Sequence, residues 1–457
     1  MSRGQHRFCL VNLGCPKNTV DSEGLLGGMA LAGFRFVSEP ADADVCIVNT
    51  CGFLDASRRE AAEVLAELAE MRGERERPLL VAAGCLVERA GGCPALANFL
   101  EAADAKAGFG DYARLPELCL DLLAGKASGK SAARGHAEKR LPKSYLAFLD
   151  RPRMRIGYGG SAYLKIGEGC SNNCAYCSIP LIRGRRTSRP AESILREARQ
   201  LVDSGAREIN LIAQDTTAYG MDGGGRPRFA ELLGRLLKMP DEVWFRVLYA
   251  HPKHLSEDVL EAMASDSRVC PYLDLPLQHV GERTLKAMGR GYGRKRVDEA
   301  LEWIRARLPD AALRTTFIVG HPGETAEEYR QLLEYVGEGH FDHVGVFAWS
   351  PEPGTKSAQT KGRVAPEEAQ RRMDELMAAQ AKVSARRLRE RRGRTVEMLL
   401  ERRERDGWHG RTVWQAPEVD GETVLEAGGA GLREGALAKV KIVRTGRYDC
   451  RAVLARG

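Results

Sequence analysis

Three cysteines fall on one short stretch, Cys170-Ser-Asn-Asn-Cys174-Ala-Tyr-Cys177, a C-x3-C-x2-C spacing. Three thiolates on one loop can hold a four-iron cluster and leave one iron without a protein ligand. That iron can chelate a small molecule through an amine and a carboxylate. Electron-transfer clusters usually carry four Cys ligands, so the missing fourth points to a reactive centre. Zinc is the rival reading, but structural zinc sites close with four ligands, and no further Cys or His follows at ligand spacing. A second set is dispersed: Cys15 in LGCPKN, Cys51 in NTCGF and Cys85 in AAGCLVER, each just after a β-rich run. Any one alone reads as a buried apolar filler. Three in equivalent places, at strand ends that face one crevice in an open parallel sheet, predict a second three-cysteine cluster. Cys9 and Cys46 lie inside strands and read as core. Cys93, Cys119, Cys270 and Cys450 follow no ligand spacing and take no role.

The elements that must position these thiols are legible in the periodicity. Residues 6–123 alternate β-rich runs (HRFCLVNLG, ADVCIVNT, PLLVAAG) with helical patterns. That βαβαβα order implies a parallel sheet covered by helices. Residues 124–160 turn small, polar and basic (AGKASGKSAARGHAEKR), as an exposed linker does. From residue 162 six β-runs follow, at 162–167, 208–213, 243–249, 272–277, 313–319 and 343–349, most trailed by a helical pattern. Six are too few for a complete eight-stranded barrel, so the expectation is an open, partial (β/α)6 barrel. The Cys170 loop then sits at the carboxyl end of the first barrel strand, where barrel active sites lie. A helix over roughly 366–392 precedes short strands with Gly-rich turns, which predict a small all-β, OB-like barrel. The fold class is therefore α/β with a C-terminal β domain. The expected divisions are 1–125, a linker over 126–160, the barrel over 161–394 and the small domain over 395–457.

Composition removes other classes. The 457 residues are 43% apolar and 29% charged, which excludes a disordered chain. No run approaches the ~18 apolar residues of a membrane helix, and the start reads as no signal peptide, so the cytosol is the default compartment. Twelve cysteines are too few for a disulfide scaffold. The net charge is +7, yet Arg371–Arg394 holds nine Lys/Arg against three Asp/Glu. One basic helix suggests a local contact or a solvated face rather than a surface for nucleic acid. No P-loop and no Ser/His/Asp constellation is present. GRGYGRKR (289–296) reads as a flexible surface loop between two helices.

The Cys170 motif, with Tyr176 before its third Cys, resembles the radical S-adenosylmethionine superfamily. With the second triad in place, nearly the whole chain resembles the methylthiotransferase family: an N-terminal methylthiotransferase domain, a radical barrel and a C-terminal TRAM domain. Members attach a methylthio group to an unactivated C–H carbon of a tRNA adenosine or a ribosomal protein. VNLGCPKNTVDSEG, NTCGFLDASRREA, LIAQDTTAYG, DLPLQHVGERTLKAMGRG and APEVDGE resemble the branch acting on the β-carbon of an aspartate in small-subunit ribosomal protein S-twelve. The tRNA branches typically carry Asn in place of Asp215. Residues 395–457 hold eleven Lys/Arg and ten Asp/Glu, a near-neutral balance unlike that of an RNA-gripping domain.

The resemblance implies two [4Fe-4S] clusters and two uses of S-adenosylmethionine. One use methylates sulfur at the Cys15–Cys51–Cys85 cluster. The other yields a 5′-deoxyadenosyl radical at the Cys170–Cys174–Cys177 cluster. It also implies an external electron donor and no membrane partner, and it leaves direct RNA contact open. Strand-end residues placed to contact S-adenosylmethionine are Gln214, Asp215, Gln278, Gly320 and Glu324; each polar one could instead cap the next helix. No side chain is assigned as a catalytic acid or base. The family's IVGFPGE reads IVGHPGE here, so His321 replaces an aromatic and is expected to line its loop. A tRNA methylthiotransferase and a non-catalytic iron–sulfur RNA-binding protein are the rival functions; two open-iron triads argue against the second.

Overall fold

The computed structural model describes residues 6–72, 76–126, 141–157, 160–240, 242–426 and 431–455. The N-terminal sheet is parallel, with strands in the order Arg35–Phe36, Arg7–Asn12, Val45–Thr50, Leu79–Gly84 and Ala105–Ala107. The central runs are apolar on both faces because helices cover both; Val45 to Thr50 is buried throughout. The two edge strands, of two and three residues, are too short to leave a periodic signal. Registers pairing Asn12 with Asn49 and Thr50 with Gly84 bring the three central strands to one level at their carboxyl ends.

The linker expected over 126–160 falls partly outside the described residues, at 127–140 and 158–159. Over 141–157 the chain is anchored by buried residues rather than wholly exposed. A helix over Lys143–Phe148 buries Tyr145 and Phe148 against Phe109 and Tyr112 of the N-terminal core. The ring centroids of Tyr112 and Phe148 lie 5.2 Å apart at 70°, an edge-to-face packing. Two aromatics in a polar stretch were the available signal.

The second sheet has six parallel strands in sequential order: Ser161–Lys165, Glu208–Ile212, Trp244–Val247, Val269–Asp274, Ala312–Val319 and His343–Ala348. Its first and last strands do not pair, so the barrel is open. Leu164, Leu211, Phe245, Leu273 and Phe317 join one core with the outer helices.

The C-terminal strands, Thr395–Glu404, Gly407–Thr412, Thr423–Leu425, Leu437–Thr445 and Cys450–Leu454, close into a five-stranded barrel. It packs where the larger barrel's strands begin. Leu399, Trp414 and Ala416 share a core with Trp244 and Ala312, the first residues of their strands. Arg246 and Arg411 both donate to the buried Glu208, at 2.8 and 3.1 Å. Burial alone would raise the Glu208 carboxyl, but the two guanidiniums hold it well below the usual range. The carboxyl ends of the six strands are left to the cysteines.

The basic helix Pro366–Glu390 and the residues after it are in part a seam, while Arg371, Lys382, Arg386, Arg389 and Arg392 stay on an exposed face. Arg372 pairs with Glu324 at 2.9 Å, Arg391 with Asp342 at 2.7 Å, and Arg394 with Asp310. The Arg391 guanidinium also lies over the Trp414 ring, 4.2 Å from its centroid. No helix among the described residues is long and apolar enough to cross a membrane.

Candidate functional site

The compact triad hangs on one loop, braced along its length. Cys170 N donates to Gly184 O (3.0 Å), Cys177 N to Cys174 O (3.2 Å) and Ala175 N to Met288 O (2.8 Å); Ser357 N donates to Ala175 O (2.8 Å). The dispersed triad is built from three strand ends. Cys15 caps the helix Pro16–Leu31, Cys51 follows the strand Val45–Thr50, and Cys85 opens the helix Cys85–Gly92. A glycine adjoins each cysteine, because these turns nearly touch. A Cβ on Gly14 would stand 3.0 Å from Cys51 Cβ, one on Gly52 2.8 Å from Cys85 O, and one on Gly84 would collide with Asn49 Oδ1.

All six cysteines line a single cavity of about 320 Å³ between the N-terminal domain and the barrel. Tyr249 and Gln278 line it too, at φ +61° and +74°. Left-handed backbone in such residues is costly and collects at functional sites.

Each triad has its own arginine. Arg183 Nη2 donates to Cys85 Sγ at 3.2 Å, and Arg290 Nη1 to Cys174 Sγ at 3.3 Å. Burial still dominates: it pushes the Cys85 and Cys170 thiols up to about 12 and raises Cys51 and Cys177. Neighbouring thiols add to the rise, Cys51 and Cys15 at Cys85, Cys174 and Cys170 at Cys177. Desolvated, mutually repelling sulfurs need positive charge among them before they ionise together. A soft, sulfur-only donor set of this kind suits iron–sulfur ligation.

Arg183 also ties the halves of the molecule together. It is fully buried and donates to Asn18 Oδ1 (2.7 Å), Asp21 Oδ2 (3.0 Å) and Glu168 Oε2. Lys165 Nζ completes the network on Asp21 Oδ1 at 2.6 Å. Burial alone would raise the Glu168 carboxyl, but Arg183 and Lys165 hold it down at about 2.

Of the predicted contact residues, Gln214 and Gln278 line the cavity; Gln214 Nε2 also donates to Glu168 Oε1 at 2.8 Å. Asp215, Gly320 and Glu324 are outside its lining. Asp215 accepts from Asn172 Nδ2 (2.7 Å) and caps its own turn through Ala218 N (3.2 Å), so it braces the cysteine loop from behind. Despite burial, the His254 hydrogen bond and nearby His251, His254 and Arg186 hold its carboxyl low. Gly320 has φ +76°, and a Cβ there would stand 2.6 Å from Ala369 Cβ, so it makes room for a helix rather than a ligand. Glu324 accepts from Gly320 N and Arg372 and lies 3.2 Å from His279 Nε2. His321 lines its loop as expected, with Nε2 2.7 Å from Ser357 Oγ, and burial lowers its imidazolium to about 4.

The reading of GRGYGRKR as a flexible surface loop is corrected. Arg290 is buried and donates to Tyr176 Oη (3.2 Å) and Pro276 O (2.7 Å) besides Cys174. Sequence reasoning also passed over Arg183, Tyr249, His251 and Lys17, which line the cavity. Lys17 sits two residues after Cys15, and its Nζ lies over the Tyr249 ring, 2.7 Å from the centroid. Burial lowers its ammonium to about 7, with Cys15 and Asp274 pulling it back up. Only its closeness to Cys15 in LGCPKN signalled it.

Comparison with known proteins sets this geometry in a family. Residues 164–336 match the Radical SAM superfamily, 7–105 the Uncharacterized protein family UPF0004 and 393–454 the TRAM domain. The chain is 38% identical to the protein named ribosomal protein uS12 methylthiotransferase RimO of Sorangium cellulosum, over 96% of this chain and 89% of that one. The protein of the same name from Geobacter sulfurreducens is 37% identical, over 98% of each chain. That of Synechococcus sp. (strain RCC307) is 42% identical, over 96% of this chain and 88% of that one. Among solved structures, the radical S-adenosylmethionine methyltransferase TsrM from Kitasatospora setae shares the fold. Its TM-score is 0.57 at 15% identity, covering 77% of this chain and 74% of that one. Such likeness along almost the entire chain, with two cysteine triads facing one cavity, makes this protein a member of the RimO family of radical S-adenosylmethionine methylthiotransferases.

Proposed function

We propose that the chain adds a methylthio group to the β-carbon of an aspartate in ribosomal protein uS12, in place of a hydrogen. In this reading Cys170, Cys174 and Cys177 hold one [4Fe-4S] cluster within the barrel domain, 161–394. Cys15, Cys51 and Cys85 hold a second within the N-terminal domain, 1–125. The observation that carries the reading is the opening of all six thiols onto one cavity. An sp³ C–H has no leaving group, so general acid–base chemistry has little purchase there. When bound, the clusters and S-adenosylmethionine would supply the electron, the hydrogen-abstracting radical and the sulfur.

The remaining tasks belong to the chain. Arg183 and Arg290 offset thiolate charge at Cys85 and Cys174. Gln214 and Gln278 offer amide donors and acceptors to a polar ligand in the cavity. Phe53, Tyr176, Ile179 and Ile182 make much of its wall apolar, which keeps water from a reactive radical. The electron for the proposed cleavage of S-adenosylmethionine comes, in this reading, from an external donor.

The test is anaerobic reconstitution with iron and sulfide, followed by reductant, S-adenosylmethionine and uS12. The expected products are 5′-deoxyadenosine and uS12 heavier by one methylthio group on aspartate. Methylthiolation of tRNA with uS12 untouched would overturn the substrate.

A further inference from the structure

We infer that Lys17 is the carboxylate-binding group of the site, the donor that grips the side chain of the target aspartate. Three strongly basic side chains line the cavity: Lys17, Arg183 and Arg290. Two are committed. Arg183 is taken by Asp21, Glu168, Asn18 and Cys85. Arg290 is taken by Cys174, Tyr176, Tyr292 and Pro276 O. Lys17 is 7% exposed and makes no hydrogen bond or ion pair from Nζ among the described residues; its close contact is the face of the Tyr249 ring. Cys15, Asp274 and Glu168 act on it only beyond hydrogen-bond reach; a buried amine with no bonded anion is costly to keep, and this one opens onto the cavity.

Its place selects the anion. Lys17 follows Cys15 by two residues and so belongs to the side of the cavity that would hold the sulfur. A methylthio group delivered there must reach the aspartate β-carbon. That carbon is one bond from the carboxylate, so the carboxylate of a productively bound substrate falls within a few ångströms of the dispersed triad. Lys17 is the uncommitted cation there. Tyr249, held at φ +61°, fixes the amine by its ring face and leaves its N–H bonds to a ligand.

The assignment rests on the proposed transfer to aspartate, and the experiment separates the two. Reconstituted enzyme, wild type, K17M and K17R, is assayed on a uS12 peptide and on the same peptide with the target Asp replaced by Asn. A charge-assisted hydrogen bond contributes enough to predict roughly a 10- to 100-fold rise in KM for the Asp peptide in K17M. K17R should recover part of it. Wild type should prefer Asp over Asn, and K17M should lose that preference. S-adenosylmethionine cleavage without peptide and the electron paramagnetic resonance signal of the Cys15–Cys51–Cys85 cluster are read alongside, to tell an effect on peptide binding from one on the cluster. An altered cluster signal with unchanged KM would make Lys17 a partner of the cluster and overturn the assignment. Equal kcat/KM for wild type and K17M on the Asp peptide would overturn the lysine alone. An Asp peptide left unmodified by wild type would overturn the substrate reading, and the lysine assignment with it.

Discussion

The two cysteine triads reach the same cavity by opposite constructions. Cys170, Cys174 and Cys177 belong to one loop, and backbone hydrogen bonds to Gly184, Met288 and Ser357 set its shape. Cys15, Cys51 and Cys85 belong to three turns that meet only because three parallel strands end at one level. The first site is a property of a short segment; the second is a property of a sheet. A local site should survive damage elsewhere, whereas a sheet-built site should fail whenever a strand end moves.

The largest effects should come from the cysteines proposed as ligands. Changes around metal ligands commonly cost about 10–100-fold, so losing a ligand should exceed about 100-fold. Cys177→Ala should abolish 5′-deoxyadenosine formation and, with it, transfer. Cys51→Ala should keep cleavage of S-adenosylmethionine and lose only transfer. Chromatography of 5′-deoxyadenosine beside mass spectrometry of uS12 reads both. Equal loss of both activities in Cys51→Ala would erase the division of labour.

Arg183 sharpens the comparison because it serves both constructions. Arg183→Met leaves the buried carboxylates of Asp21 and Glu168 to share the single cation Lys165 and removes a donor from Cys85. Breaking a buried ion network by deleting one partner costs about 3–5 kcal/mol. The expected outcome is a marked fall in thermal midpoint and loss of iron from the dispersed triad. Arg290→Met removes contacts confined to the barrel, so it should disturb only the compact triad. Iron content and thermal unfolding of the two variants side by side decide it.

Gly84→Ala attacks the sheet-built site without touching a ligand. The new methyl would meet Asn49 Oδ1 and come within 2.8 Å of Thr50 O, at a φ of +95°. A side chain in such backbone costs about 1–3 kcal/mol. Cys85 is the next residue, so on the proposed reading the dispersed triad should bind iron poorly while iron at the compact triad is kept. Cys51→Ala shows the full loss for comparison. Retention of both clusters in Gly84→Ala would show that the strand ends tolerate more movement than their contacts indicate.

What the sequence made legible follows the same division. The compact triad was visible as spacing, and the dispersed one as three cysteines after three β-runs. The six barrel strands were visible too, since runs such as LRTTFIV are apolar and β-branched. What stayed hidden was long-range pairing. Nothing near Arg183 announces Asp21, 162 residues away. Arg290 in GRGYGRKR has the composition of a solvated loop, and only the tertiary fold turns it inward. The short edge strands and the helix Lys143–Phe148 were missed because two to six residues carry little periodicity.

The smallest effect separates a ligand glycine from a packing glycine. Gly320 follows the fifth barrel strand, a position like that of the cavity-lining Gln214, yet the helix Pro366–Glu390 occupies the space a Cβ would need. Gly320→Ala should lower stability by about 1–3 kcal/mol and leave the KM for S-adenosylmethionine unchanged in folded protein. Part of that loss is strain from φ +76°, and part is the clash 2.6 Å from Ala369 Cβ. Ala369→Gly in the same chain removes only the clash, so the double variant should recover stability partially, as coupled neighbours do. A raised KM in Gly320→Ala, unrelieved by Ala369→Gly, would return the residue to the ligand site. Recovery of stability with KM constant throughout would keep it with the scaffold that holds the strand ends apart.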